Sequence, residues 1–279
     1  MAGNLATSES KTVAAIVPTL ANSIFAEMLQ GMMEVLDGAG YQLILGSNSY
    51  DPLEEEKLVR AFLARQVEGM ILTGANRSPG TARLLQRAAI PVVETWSLLG
   101  SPSVGSVGFS NYQAAYAMVQ HLHTRGYRRL GFVSAPIGDN DRAAERRRGF
   151  VDAVRELNHE RRSDAMLTSV FSLRAGADAL DTILQRRPDT DAIFFANDTL
   201  AAGAILQANR RTLQIPRGGR HRRLRRPRDR ESGSARPHHG ANPSARARHQ
   251  GRRNGARQPG GRKRWSAPGG PRIRAGGQR

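Results

Sequence analysis

Two doubly wound α/β lobes are the fold class this sequence predicts. Three observations carry the prediction. Strand-like and helix-like segments alternate at short spacing through residues 12–209. The strand segments are short, continuous apolar runs such as Ala192–Ala196 (AIFFA), the pattern of parallel sheets covered on both faces. A Gly- and Pro-bearing stretch, Ser97–Val107, divides the alternation into two series, as a chain crossing between domains does.

The first series opens with Thr12–Val17 (TVAAIV), stopped by Pro18. Phe25, Met28, Leu29, Met32, Val35 and Leu36 then recur at helical spacing until Gly38 and Gly40 end the helix. Tyr41–Leu45 is the second strand. Asp51 caps the next helix, with Pro52 at its first position and Glu54 to Glu56 as an acidic first turn. Leu58, Phe62 and Leu63 form its inner face. Gly69–Leu72 is strand three, Thr81–Ala88 a helix and Pro91–Glu94 strand four.

In the second series Asn111 opens a helix to Thr124, ended by Gly126, and Arg129–Ser134 is a strand. Asp141–Leu157 is a helix rich in surface arginines, and Thr168–Phe171 a strand. Leu173–Gln185 (helix), Ala192–Ala196 (strand) and Asp198–Asn209 (helix) complete it. The βαβ units imply right-handed crossovers and a ligand cleft at the carboxyl ends of the strands.

The chemistry of the chain breaks near Pro216. Residues 1–215 hold 22 basic and 22 acidic side chains; residues 216–279 hold 20 and 2, so the whole formal charge of +18 lies in the last 64 positions. That tail has two aliphatic side chains, Leu224 and Ile273, too few to offset the roughly 1–2 kcal/mol per residue that ordering a backbone costs. Disorder is expected there. The chain has no cysteine, which excludes disulfides and thiolate chemistry. Met1–Ser10 lacks the apolar core of a secretory signal and no apolar run reaches the length of a membrane span, so a cytoplasmic location is expected.

Val13–Gln30 (VAAIVPTLANSIFAEMLQ) resembles the start of the effector-binding region of lactose-repressor (LacI) family transcription regulators. The segment from Gly40 to Gly74 (GYQLILGSNSYDPLEEEKLVRAFLARQVEGMILTG), then PVVETW, VGFSN, RGYRRLGFV, RRRGF and FFANDTLAAGAI, follow in that family's order. The resemblance spans residues 11–216, and the ETW and FFAND variants look most like the gluconate-utilisation repressor branch. It implies two lobes of the type found in periplasmic sugar-binding proteins, a homodimer, and a small effector, a sugar or sugar acid, in the cleft. It also implies a helix-turn-helix headpiece on operator DNA; of that part only Asn4–Ser10 (NLATSES), similar to the end of a hinge helix, stands in this sequence. The expected organisation is a hinge remnant at 1–11, an N-terminal lobe at 12–109, a truncated C-terminal lobe at 110–216 and the basic tail at 217–279.

The resemblance stops at Gln214-Ile215-Pro216. Read one base forward, the codons for Gly218–Arg230 admit E-V-A-I-A-G-F-D-D-L-E-I-A, and those for Pro237–Pro243 admit L-T-T-V-R-T-P, the strings the family carries next. Residues from about 217 are therefore expected to be out of frame. Coding DNA that meets early stops in the shifted frame, or fails to give these strings, sinks that expectation. The competing reading is a genuine arginine-rich arm that neutralises nucleic-acid phosphates.

Carried over where its motifs survive, the resemblance implies eight ligand-binding residues. Asn22 and Phe25 follow the first strand, Phe25 being equally suited to the core. Thr73 ends strand three, where a plain turn residue also fits, and Trp96 ends strand four, placed either to stack on a sugar or to pack the lobe. Asn111 begins the first helix of the second lobe, where N-capping is the alternative. Arg146, three residues before Gly149-Phe150, suits a carboxylate or paired hydroxyls, whereas Arg147 and Arg148 read as solvated surface. Asn197 and Asp198 follow AIFFA, with Asp198 also expected to cap the helix.

No enzyme is expected. His121 and His123 point to different sides of a helix and cannot chelate together, Glu54–Glu56 is a helix turn, and no dinucleotide loop, phosphate loop or nucleophile elbow is present. No cofactor and no metal site is expected. The function expected is the ligand-sensing region of a LacI-family repressor; a periplasmic-type sugar-binding protein of a transporter shares the fold and is the alternative.

Overall fold

The computed structural model describes residues 9–99, 104–157 and 165–213. Five parallel strands form the first sheet in the order β2-β1-β3-β4-β5: β1 (Thr12–Val17), β2 (Gln42–Ser47), β3 (Gly69–Thr73), β4 (Val92–Thr95) and β5 (Gly105–Val107). Val13 of β1 pairs with Leu43 on one side and Gly69 on the other. Three further parallel strands form the second sheet in the order β7-β6-β8: β6 (Leu130–Ser134), β7 (Met166–Thr168) and β8 (Ala192–Phe195).

The period-2 geometry of a strand sorts each sheet's side chains onto two faces. Ala14 and Ile16 of β1 join Val59, Phe62, Met70 and Leu72 in a core under α2 (Pro52–Ala64) and α3 (Pro79–Ala88). Ala15 and Val17 meet Phe25 and Leu29 of α1 (Ser23–Gly38) on the other face. In the second lobe Leu130 and Phe132 pack against α4 (Asn111–Thr124) and α5 (Asp141–Glu156). Val133 packs on the opposite face with α6 (Leu173–Arg186) and α7 (Asp198–Arg210). The rings of Phe132, Phe150 and Phe194 close the first of these cores, Phe132 and Phe150 stacking at 4.7 Å.

Among the described residues, all seven helices open on a Ser, Asn or Asp whose side chain accepts from a first-turn N–H: Asn22, Asp51, Ser78, Ser110, Asn140, Ser172 and Asn197. Such a cap contributes about 1 kcal/mol and fixes where the chain turns from strand to helix.

In several places the structure departs from the sequence pattern. Ser97–Val107 is not wholly a crossover, because Gly105–Val107 adds β5 to the first sheet. Three residues with no apolar pattern left no strand signal. The strand expected at Thr168–Phe171 lies earlier, at Met166–Thr168, which leaves Val170 and Phe171 in a loop. The AIFFA strand is half-exposed throughout, since β8 is an edge of its sheet among the described residues. The tail and most of the hinge-like segment lie outside the described residues.

Candidate functional site

Parallel βα units place strand C-termini and helix N-termini at the same end of a sheet. The two lobes bring these ends together. A cavity of about 600 Å³ lies between the β2–α2 loop of the first lobe (Ser49, Tyr50, Asp51) and the β6–α5 and β7–α6 loops of the second (Pro136, Asp139, Phe171 among them). That volume suits a small ligand. Tyr50 and Phe171 approach across the gap with ring centroids 5.9 Å apart. The lobes are also joined directly: the Ala75 N–H, just after β3, donates to Asp141 Oδ2 at 2.8 Å. Beside it Arg142 is held by Asp141 at 3.0 Å and fills the space over Gly74. A Cβ on Gly74 would sit 2.1 Å from Arg142 Nη1, and its φ of +88° disfavours any other residue.

Four of the eight expected ligand residues form one connected chain. Phe25 meets Trp96 edge-on at 6.1 Å, and Trp96 Nε1–H donates to Met28 Sδ. Trp96 holds a left-handed backbone, φ +66°, fixed by its N–H to Val107 O and by Asn111 Nδ2 donating to Trp96 O at 2.8 Å. Asn111 Oδ1 in turn accepts from Arg146. A strained non-glycine conformation held from both sides is a feature of functional sites. Phe25 is buried in its core cluster, so its face toward Trp96 packs rather than lines open space.

The N-capping alternative for Asn111 is corrected: Ser110 caps α4, accepting from Gln113 N–H, and Asn111 is buried with its amide spent on Trp96 and Arg146. Asp198 is likewise not the cap of α7. Asn197 is, accepting from Thr199 and Leu200, while the exposed Asp198 accepts from Thr199 N–H. Asn22 caps α1. The bonds of Asn197 and Asp198 thus stay within their own helix turn, apart from the Trp96–Asn111–Arg146 chain.

Electrostatics concentrate here. Burial, reinforced by neighbouring Arg142, lowers the Arg146 guanidinium to about 10, and its buried Nε has no partner. Burial pushes the Tyr50 phenol up against the opposing pull of Arg142 and Arg146. Beneath them Glu55 is raised to about 7 by burial, opposed by Arg77, Asn48 and Arg142. Glu94, buried on β4 and paired with Arg77 at 2.6 Å, is also raised by burial. Thr73 Oγ1 and Ser134 Oγ, at the ends of β3 and β6, are buried without partners.

Sequence reasoning missed Tyr50, Phe171, Asp141, Arg142 and Glu55. Tyr50 had a signal in hindsight: it stands in the Asn48-Ser49-Tyr50-Asp51 turn, and it and Ser49 adopt positive φ there. Glu55 had none, being one of three adjacent glutamates of which only it is buried. Among the described residues no cluster of His, Cys, Asp or Glu fits a metal, and no helix is long and apolar enough to cross a membrane.

Residues 10–224 match the family of periplasmic binding proteins and the sugar binding domain of the LacI family. The chain is 34% identical over 213 residues to the HTH-type transcriptional regulator GntR of Pseudomonas aeruginosa, covering 76% of this chain and 62% of that protein. It is 30% identical to the Escherichia coli regulator IdnR, covering 77% of this chain and 64% of that one. The chain thus spans a little over three-fifths of the curated relatives it matches. The crystal structure of the transcription regulator GntR from Chromobacterium violaceum is similar at a TM-score of 0.69 and 36% identity, over 74% of this chain and 75% of that one.

Proposed function

Since the chain belongs to the family of periplasmic binding proteins and LacI-family sugar binding domains, we propose that it is the ligand-sensing region of a transcriptional repressor whose effector is a sugar acid such as gluconate. The observation that carries this reading is Arg146: a half-buried side chain whose Nε is buried and unpartnered, crowded by Arg142 and tied to the second lobe's Asn111. Arg142 and Arg146 both act electrostatically on Tyr50, which lines the cavity of about 600 Å³, and two neighbouring cations there favour an anionic ligand over a neutral one. Tyr50 and Phe171 offer ring faces to the apolar side of a carbon chain.

The mechanism proposed is a shift between open and closed lobes. Ligand bridging Arg146 in one lobe and Thr73 in the other favours the closed arrangement that the Ala75–Asp141 hydrogen bond also holds. In a homodimer with a DNA-binding headpiece, that shift would alter operator affinity. The protein acts by binding, as its regulator relatives do, without a reaction of its own, and in the cytoplasm.

Calorimetric titration with D-gluconate tests the reading. Binding is expected, weakened about ten- to a hundredfold in Arg146→Gln, the loss typical of a charge-assisted hydrogen bond. Absence of binding, or an unchanged affinity in the variant, refutes it.

A further inference from the structure

Below the cavity lies a second, smaller space. It is bounded by Asn48, Glu55, Thr73, Asn76, Asp141 and Arg142, and opens beside Tyr50 and Asp139, which also line the cavity. Its free volume is about 10 Å³, room for about one oxygen atom. Almost every side chain around it is polar. Two of its polar atoms are unpaired: Glu55 Oε1 and Thr73 Oγ1, on residues only 3% and 8% exposed.

The rest of the recess is held firmly. Glu55 Oε2 accepts from Asn48 Nδ2 at 3.2 Å, Asn48 Oδ1 accepts from Tyr50 N–H, and the Asn48 N–H donates to Val17 O. Glu55 is thus fixed on its helix, and Thr73 is fixed as the last residue of β3, paired with Thr95, so neither unpaired atom is left over from a loose loop. An unsatisfied buried polar atom is unfavourable, and two on residues that line one small space call for a group that meets both.

The chemistry narrows that group. A carboxylate needs room for two oxygens and would face Glu55, Asp139 and Asp141. An ammonium would meet Arg142, and among the described residues no group of His, Cys, Asp or Glu could hold a metal ion. A hydroxyl fits: it donates to Oε1 of the ionised Glu55 carboxylate and accepts from the Thr73 hydroxyl.

We propose that this recess seats one terminal hydroxyl of the polyhydroxylated ligand, with Glu55 as its acceptor and Thr73 as its donor. This rests on the cleft reading given above and adds an orientation to it. The carboxylate end lies toward Arg146 and the hydroxyl end is buried in the first lobe. Glu55 thereby becomes a specificity-determining residue that rejects ligands lacking the hydroxyl, because its unpaired oxygen then stays unpaired.

The test pairs a change in ligand with a change in protein, on the full chain of 279 residues. Calorimetry with D-gluconate and 6-deoxy-D-gluconate measures what the hydroxyl contributes. The unmodified chain is expected to lose at least about tenfold in affinity for the deoxy acid, and Thr73→Val about threefold or less. Equal affinities of the unmodified chain for both acids overturn the recess and leave the cleft reading standing. If neither acid binds, the sugar-acid reading fails, and thermal unfolding without ligand still decides the recess. Thr73→Val removes an unpaired buried hydroxyl at nearly constant volume, so Tm rises by about 2 °C if that hydroxyl awaits a ligand. A lower Tm means a structural water satisfies it, and overturns the proposal.

Discussion

Glu55 shows how much a single position depends on what surrounds it. Glu54, Glu55 and Glu56 stand together at the start of α2, yet Glu55 alone is buried, and its carboxyl is pushed from 4.5 to about 7 chiefly by that burial. Between those two values the folded chain keeps a proton that the unfolded chain has released. The stability Glu55 contributes is therefore complete below pH 4.5 and is lost as pH rises through about 7. In thermal unfolding between about pH 5.5 and pH 8, Glu55→Gln is expected to lose less Tm than the unmodified chain, since an amide does not titrate. Parallel pH profiles for the two would show that Glu55 is not buried as described. Trp96 and Asn111 make the same point about backbone: the bulky residue with φ +66° persists because the Asn111 amide and Val107 carbonyl hold it.

Helix pairs, rather than single helices, set the thickness of the second lobe. α4 and α5 cover one face of its sheet, and α6 and α7 the other, each pair in close backbone contact. At Gly149 of α5 a Cβ would lie 2.2 Å from Tyr112 O of α4, and at Gly203 of α7 it would lie 1.9 Å from Leu173 O of α6. These contacts are to backbone, which cannot swing aside as the end of a long side chain does. Gly149→Ala is thus expected to force α4 and α5 apart at a cost of about 2 kcal/mol, lowering Tm by about 4–8 °C. Because α4 carries Asn111 and α5 carries Arg146, the same change is expected to loosen the pair proposed to anchor the ligand. Thermal unfolding reads the first effect, and an unshifted Tm would count against so close a crossing.

Over the whole molecule, the feature that turns two lobes into one site is the contact between them. Asp141 receives the Ala75 N–H and positions Arg142 above Gly74, so the start of α5 reaches the end of β3. In the mechanism proposed above, this contact favours the closed arrangement. Asp141→Ala removes it without touching either core, and the closed population is expected to fall. Apparent affinity for D-gluconate would drop about five- to tenfold while the far-UV circular dichroism stays the same. An unchanged affinity would show that closure does not depend on this contact.

The alternation of short apolar strands with amphipathic helices was legible from residue order alone, because strand and helix periods are local properties of the chain. Thr12–Val17, Asp51-Pro52 and Leu130–Ser134 each signal their element within a few positions. The resemblance to sugar-binding lobes was also written in ordered local strings, and residues 10–224 carry it. What the tertiary structure decided was which polar groups lose water and which meet across the cleft. Periodicity gave no reason to separate Glu55 from Glu54, to take Phe171 out of a strand, or to set Arg142 against the first lobe. Burial and inter-lobe contact are made by residues distant in sequence, and no local pattern encodes them.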